Sequence, residues 1–484
     1  HYDERGELHP MMATELPSQE KGTWLVRADG TMQTTFRLRD GITWHDGAPL
    51  TARDFVFGWM VTKDPEIPMS RRTVAPQIER IDTPDDRTLM IEWASTYPFA
   101  NALVEDEIGP MPVHLTGSVY QTDKERFVQL GYWTREFVGV GPYRLAEWEA
   151  GSHLTLQAYQ AFYAGRARID TLIFHFIPSG PTAVANMLAG TLDGVIPRTL
   201  DFNQVMFVKA EFERAGKKPL VTVDPTHWRM LDVQARAEMV KPRDLLDVRV
   251  RRALLSATDR QALVDTLLAG TIPYSDTLVA PGDVKWEWVQ DVIIRYPYDP
   301  RRAQQLLEQV GWRRGQVGPY SNAAGEQMTL DIRTQQGDLA EMEQNIIADN
   351  WRSAGLTVEH ENSVASIFPA FHASAGPLSF DHLTTRLHSR GCSSEANRWT
   401  GPNHGCAWSA ESDKTIDALL VAIDAREQRR LWRDFVQYHT DQLPMLPLYF
   451  NPQSMIFREG VTGVKGETRP RTSPTWNVAE WDVR

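Results

Sequence analysis

The sequence predicts a mixed α/β protein built from at least two packed units, and three observations carry that prediction. The chain has 484 residues, about three times a domain of roughly 150 residues. Short alternating apolar runs bounded by Gly, Pro, Asn and Asp give way repeatedly to segments whose apolar residues recur at three- and four-residue spacing. Twice, over residues 169–195 and 328–359, the order is strand, helix, strand, as a βαβ unit in a partly parallel sheet requires. Apolar residues make up 42%, charged residues 24% and aromatic residues 10% of the chain, enough for a large core and unlike disordered or collagenous sequences.

Along the chain, residues 35–39 alternate as a strand that ends at Asp40-Gly41, and Trp44-His45-Asp46-Gly47 forms a turn. Thr51 and Asp54 have capping-box spacing at the head of a helix with Phe55, Phe57, Trp59 and Met60 on its apolar side. Strands at 78–81 and 88–93 flank the turn Thr83-Pro84-Asp85-Asp86. Residues 143–145 and 153–156 pair across a Glu-Ala-Gly-Ser turn, and 182–190 is a helix stopped by Gly190. The character changes around 224–228, where a hinge is expected before a series of amphipathic helices. Thr258 and Gln261 have capping-box spacing ahead of Leu263, Val264, Leu267 and Leu268. Asp299-Pro300 provides an N-cap and first-turn proline for Ala303, Leu306 and Leu307, with Gly311 as the stop. Helices at 341–354, 416–423 and 428–441 and a buried strand at 445–450 complete this second unit.

The net charge of −12 and the lack of a basic cluster argue against a nucleic-acid or anionic-membrane partner. No apolar stretch is long enough for a membrane helix. The first 30 residues carry no charged-then-apolar leader, so the expectation is that any secretion signal has been removed. Cys392 and Cys406 share one loop rich in Gly, Ser, Asn and Pro, which invites a disulfide and an oxidising compartment, with two free thiols as the other reading.

Local catalytic signatures are nearly absent: there is no P-loop, no His-Glu-x-x-His and no Cys-x-x-Cys, and no cofactor is expected. The His372-Ala-Ser-Ala-Gly376 run lacks the first Gly of a nucleophile elbow. His382, His388 and His404 fall in one segment, but their spacing suits no helix face, so surface or hydrogen-bonding roles are expected and no metal site. Sixteen Trp are present. Each is either core or part of an aromatic-lined cleft with a few Arg and Asp for orientation. The segment 381–408 concentrates Asp381, Arg386, Arg390, Arg398, Trp399 and Trp408. These residues, with Trp228 and Tyr274, are the candidate ligand contacts.

The run Thr-Phe-Arg-Leu-Arg-Asp-Gly-Ile-Thr-Trp-His-Asp-Gly-Ala-Pro-Leu-Thr-Ala-Arg-Asp over residues 35–54 resembles the signature of the family 5 extracellular solute-binding proteins. That group includes the oligopeptide-, dipeptide- and nickel-binding components of ABC importers. Gly-Val-Gly-Pro-Tyr at 139–143, Asp-Val-Arg-Val-Arg-Arg-Ala-Leu at 247–254 with Asp259-Arg260, Tyr-Asp-Pro at 298–300 with 306–312, and 441–449 resemble its further markers, in the same order.

The resemblance implies a two-lobed periplasmic-binding-protein-like fold of type II with an extra subdomain, its lobes joined by two hinge strands and closing on a ligand. Lobe one would comprise residues 1–225 and 451–484, with the subdomain at about 30–135, and lobe two residues 226–450. It implies an extracytoplasmic, periplasmic or lipid-anchored monomer that captures cargo without turnover and docks on a membrane permease. An oligopeptide is the expected cargo, with an oligosaccharide or opine-like conjugate as the alternative. A secreted glycoside hydrolase is the rival class, and a sensor using the same cleft is a third.

The sequence departs from the family twice. The strands that open the family's first lobe, ahead of Tyr2-Asp3, are not in this sequence, so either lobe one lacks them or the sequence begins part-way. Peptide binders of the family place an Asp in the second-lobe loop for the peptide amino group, and Arg390 falls near that position. Either an Arg there attracts a carboxylate or phosphate instead, or the register is offset by several residues across a variable loop. Asp381 is then the amine partner or simply a cap at a strand end.

Overall fold

The structure is a computed structural model, described for residues 1–3, 7–68, 74–103, 108–315, 318–335, 338–362, 367–378, 380–466 and 473–484. Its main sheet has six strands in the order Thr357–Asn362, Thr329–Thr334, Phe371–Pro377, Leu220–Val233, Met445–Phe457 and Gly194–Val195. The first three run parallel, and the helix Asp338–Ser353 crosses between Thr329–Thr334 and Thr357–Asn362. This is the βαβ unit expected at 328–359.

The other expected βαβ unit does not form. Thr171–His175 closes a separate antiparallel sheet with Tyr143–Glu149 and His153–Ala158, while Gly194–Val195 pairs antiparallel with Met445–Phe457. Strand, helix, strand order alone does not say which sheet each strand joins.

Leu220–Val233 and Met445–Phe457 are the longest strands and pair antiparallel from Leu220 with Phe457 to Asp232 with Met445. At about 3.3 Å per residue each spans roughly 40 Å, longer than one core requires. Trp228, Met230, Leu231, Met445, Leu446 and Phe450 lie in the largest core. Further along the same strands, Ile456 and Val221 belong to a second core, and Met455, Phe457 and Leu220 to a third. Between them the ladder is irregular: Pro452 faces Pro225, and the register shifts at Asn451/Pro452. Two prolines remove two ladder donors at the crossing, which is where the ribbon bends most easily. The segment 224–228, where a hinge is expected, lies inside a continuous strand, with no break in secondary structure.

A four-stranded antiparallel sheet (Trp24–Val26, Met32–Arg37, Thr88–Trp93, Ile78–Asp82) carries its own core around Met32, Trp44, Ile78, Ile91 and Trp93. The helix Ala52–Lys63 begins with the expected Thr51–Asp54 capping box. The helix Arg260–Leu268 is capped one residue later than expected: Asp259 accepts from the Ala262 N–H, while the Thr258 hydroxyl donates to the Leu254 carbonyl. The strand expected at 35–39 runs over Met32–Arg37, beginning and ending earlier.

The His-Asp-Gly turn is a structural joint. The Gly139 N–H donates to His45 Nδ1 (3.1 Å), and His45 Nε2 lies 3.0 Å from the Gly141 carbonyl. The carbonyl only accepts, so Nε2 carries the proton and His45 is neutral. The Tyr159 hydroxyl donates to the Trp44 carbonyl, and Asp46 meets His114 at 2.7 Å. Thus two motifs far apart in sequence clamp the four-stranded and three-stranded sheets together.

Burial holds the His45 imidazole below its ordinary value of 6.5, against the Gly141 hydrogen bond, with Arg144 adding to the depression. The unfolded chain takes up a proton near 6.5, which folded His45 resists, so its contribution is full above that pH and is lost as the pH falls. Replacing His45→Gln is expected to flatten the decline in thermal stability between about pH 7 and pH 5; an unchanged slope by calorimetry would contradict this role. Cys392 and Cys406 form a disulfide closing a 14-residue separation, for which the chain-entropy model gives about 3 kcal/mol. The double variant Cys392→Ala/Cys406→Ala should lose about that much in denaturant titrations of the intact chain, and equal stability would show that the loop is held by its hydrogen bonds alone.

Candidate functional site

The candidate residues separate into two groups, one at the middle and one at the Val233 end of the strand Leu220–Val233. Trp228 and Tyr274 lie near the crossing, while Arg386, Trp399 and Trp408 surround the far end, at Asp232–Val233 and beyond. Five residues of strand separate Trp228 from Val233, about 17 Å.

At the crossing, Trp228 is 4% exposed and its indole N–H donates to Ser275 Oγ (3.2 Å). It is a wall of the core. Tyr274 bridges to Tyr449, and its ring sits 4.6 Å from the Arg260 guanidinium. Arg260 is itself fixed by Asp276 Oδ1 (3.0 Å) and the Tyr296 carbonyl (2.7 Å). On the opposite strand face, Arg229 forms a buried ion pair with Glu343, its Nε donating at 2.9 Å, which ties the ribbon to the helix Asp338–Ser353.

Two further residues at the crossing carry no local sequence signal. His227 is half-buried and pairs in the ladder with Asn451 and Pro377. Burial lowers its imidazole pKa, and the nearby Arg198 charge lowers it further. Arg198 is exposed and holds a left-handed backbone (φ 72°).

At the far end, Asp232 is a hub. Its Oδ2 accepts from Arg386 Nη2 (2.8 Å) and Ser374 Oγ (2.7 Å), and lies 3.2 Å from His404 Nδ1 and 3.5 Å from His372 Nδ1. Burial pushes the Asp232 carboxyl up, but the Arg386 charge and the two imidazoles outweigh it and hold it well below the carboxylate range. Asp232, His372 and His404 converge closely enough to hold a cation. However, the oxygen a metal would take already meets Arg386, so the cluster acts as an ion-pair network pinning the disulfide loop. Arg386, 2% exposed, is committed to that network.

The loop closes over this hub. Arg236 donates to the His404 carbonyl (3.0 Å) and to the Ser393 carbonyl, and its guanidinium lies 5.2 Å from the Trp399 ring centre. The Ala235 N–H donates to the Gly405 carbonyl. Arg398 and Trp399 both turn through positive φ, and Arg398 is exposed. Arg390 reaches Asp417 at 2.7 Å on the open surface, a pair worth about 0–1 kcal/mol. Trp408 is 51% exposed.

The helix Phe380–Leu387 explains the separation. It starts just past Pro377, which faces His227, and carries the chain about 12 Å back to Arg386 beside Asp232. Everything after it, including Arg390, Arg398, Trp399 and Trp408, is displaced from the crossing. Asp381 falls in the first turn of this helix, and its side chain lies outside the described residues. Of the three clustered histidines, His388 lies beside Asp413 and Asp417, away from His404, and the side chain of His382 also lies outside the described residues.

The chain matches the model of the bacterial extracellular solute-binding proteins, family 5 Middle, over residues 7–377. It is 22% identical over 468 residues to the oligopeptide-binding protein AppA of Bacillus subtilis, covering 94% of this chain and 81% of that one. Other curated relatives are matched over 60% or 49% of their own length. Among solved structures it is similar to NikZ from Campylobacter jejuni in complex with Ni(L-His), with TM-score 0.76 and 21% identity over 100% of this chain and 92% of that one. It is also similar to the oligopeptide-binding protein of Thermus thermophilus complexed with a pentapeptide, with TM-score 0.73 and 19% identity over 100% and 89% of the two chains. These likenesses show the two-lobed type II fold. The chain belongs to the family 5 bacterial extracellular solute-binding proteins, as an extracytoplasmic solute-binding receptor of an ABC importer and not an enzyme.

Proposed function

We propose that the chain captures oligopeptides between its two lobes, at the crossing of the two long strands, and presents them as a monomer to a membrane permease. Lobe one would comprise residues 1–225 and 451–484, and lobe two residues 226–450. The observation that supports this most is the strand pair itself, one ribbon contributing to separate cores on either side of a proline-weakened crossing. Arg198 and His227 on one side and Tyr274 on the other would then face the cargo.

A peptide fits this arrangement because its main chain offers hydrogen bonds to exposed ladder groups, its carboxylate suits Arg198, and its side chains rest on aromatic surfaces. The relative AppA is named an oligopeptide-binding protein, and the Thermus structure holds a pentapeptide. The cationic Arg198 favours one second reading, a small carboxylate-rich solute such as an opine-like conjugate.

Native mass spectrometry of protein purified from its own host should find peptide mass released on denaturation, and added peptides should be recovered uncleaved after long incubation. A bound small acid with no peptide affinity would select the second reading, and cleavage would reject simple capture. Tyr274→Ala and Arg198→Glu should each weaken peptide binding about tenfold by calorimetry, about 1.4 kcal/mol. Unchanged affinity in both would move the site away from the crossing.

A further inference from the structure

Beyond Val233, at the end of lobe two opposite the crossing, lies a second cavity of about 280 Å³. Its walls include Leu246, Arg251, Ala407, Trp408, Tyr438 and Gln442. It is built from the helix Val248–Ser256, the helix Ala425–Gln442 and the end of the disulfide loop.

The polar groups of this cavity are mostly engaged. His439 Nδ1 lies 2.6 Å from the Phe435 carbonyl, and Ser412 Oγ lies 3.1 Å from its Nε2. The Tyr438 hydroxyl donates to Ser409 Oγ. Arg251 differs. Its Nη1 donates to the Leu245 carbonyl (2.5 Å), and its Nε and Nη2 donate to the Gln442 carbonyl (3.2 and 2.8 Å). A guanidinium has five N–H groups, so one remains on each Nη. Each is a charged donor that a carboxylate oxygen can accept from.

Among the described residues no carboxylate lies within 4.0 Å of Arg251. Asp247, the nearest acidic influence, is gripped by Arg249 (2.6 Å). Burial drives the Arg251 pKa down to about 10, against the Asp247 charge that raises it and with Arg252 adding to the depression. Across the cavity stands the half-exposed Trp408 ring, beside Leu246, which is 41% exposed. An arginine with two uncommitted N–H groups and a half-exposed indole therefore line one small cavity of mixed polarity.

We propose that this cavity is a second ligand site, separate from the cargo cleft, that takes a small aromatic monocarboxylate, its carboxylate on Arg251 and its ring on Trp408. The volume lies at the lower edge of the range for small-molecule pockets, about 300 to 1,000 Å³, which suits one or two fused rings and excludes a peptide. The crossing lies in the middle of the strand Leu220–Val233 and this cavity at its Val233 end, so the two sites share no residue named here.

The test titrates the full-length chain with phenylacetate and indole-3-acetate by calorimetry, with Trp fluorescence as a second readout. Binding at about 1 mM or tighter is expected, with the neutral phenylacetamide at least about tenfold weaker. Arg251→Met should abolish binding. Because Arg251 also holds two backbone carbonyls, Trp408→Ala, at an exposed position, is the second variant and should weaken binding about tenfold with an unchanged circular dichroism spectrum. Protein saturated with cleft cargo should bind phenylacetate with unchanged stoichiometry. The proposal is overturned by no binding at about 10 mM, by equal affinity for the amide, by unaltered binding in Trp408→Ala, or by competition with cleft cargo.

Discussion

The pairing of Leu220–Val233 with Met445–Phe457 is the constraint on which the rest of the molecule depends. Each strand supplies side chains to the largest core at one end and to other cores at the opposite end. One hydrogen-bonded ribbon thus runs through several hydrophobic cores, and the helix Phe202–Arg214 also reaches the largest of them through Phe202. A ribbon of two strands resists stretching and shear through its ladder but bends where donors are missing, and Pro225 faces Pro452 at that point. The buried Arg229–Glu343 pair anchors the ribbon beside that point to the helix Asp338–Ser353.

Much of the local structure was legible because its causes are local. The Thr51–Asp54 box, the Asp299-Pro300 start and the left-handed Gly190 stop all appear where side-chain chemistry places them. So does the helical crossover between Thr329–Thr334 and Thr357–Asn362. The shifted cap at Asp259 has a tertiary cause: the Thr258 hydroxyl bonds back to Leu254 and accepts from the Trp351 indole, leaving Asp259 to cap. The fate of Gly194–Val195 was not legible, because its partner strand lies more than 250 residues away.

The site was legible only in part, for a related reason. Composition drew attention to the Arg- and Trp-rich loop, and the disulfide there was read from two cysteines in one flexible segment. What composition cannot convey is that the helix Phe380–Leu387 carries that loop away from the crossing. Arg386 illustrates the cost of reading residue type without topology: a solitary Arg in sequence is a candidate ligand contact, yet Asp232, brought from another strand, takes its charge. His227 and Arg198 had no periodicity, cap or motif to mark them. The His-Asp-Gly run, the most recognisable motif, proves to be a clamp between sheets through His45 and Gly139.

The most direct test of the hinge measures the distance between spin labels on the two lobes, at Glu213→Cys on the helix Phe202–Arg214 and Gln305→Cys on the helix Pro300–Gln309, both exposed. A shorter and narrower distance distribution once a bound peptide has been verified by calorimetry is the predicted result. An identical distribution with and without bound peptide would contradict closure about the paired strands.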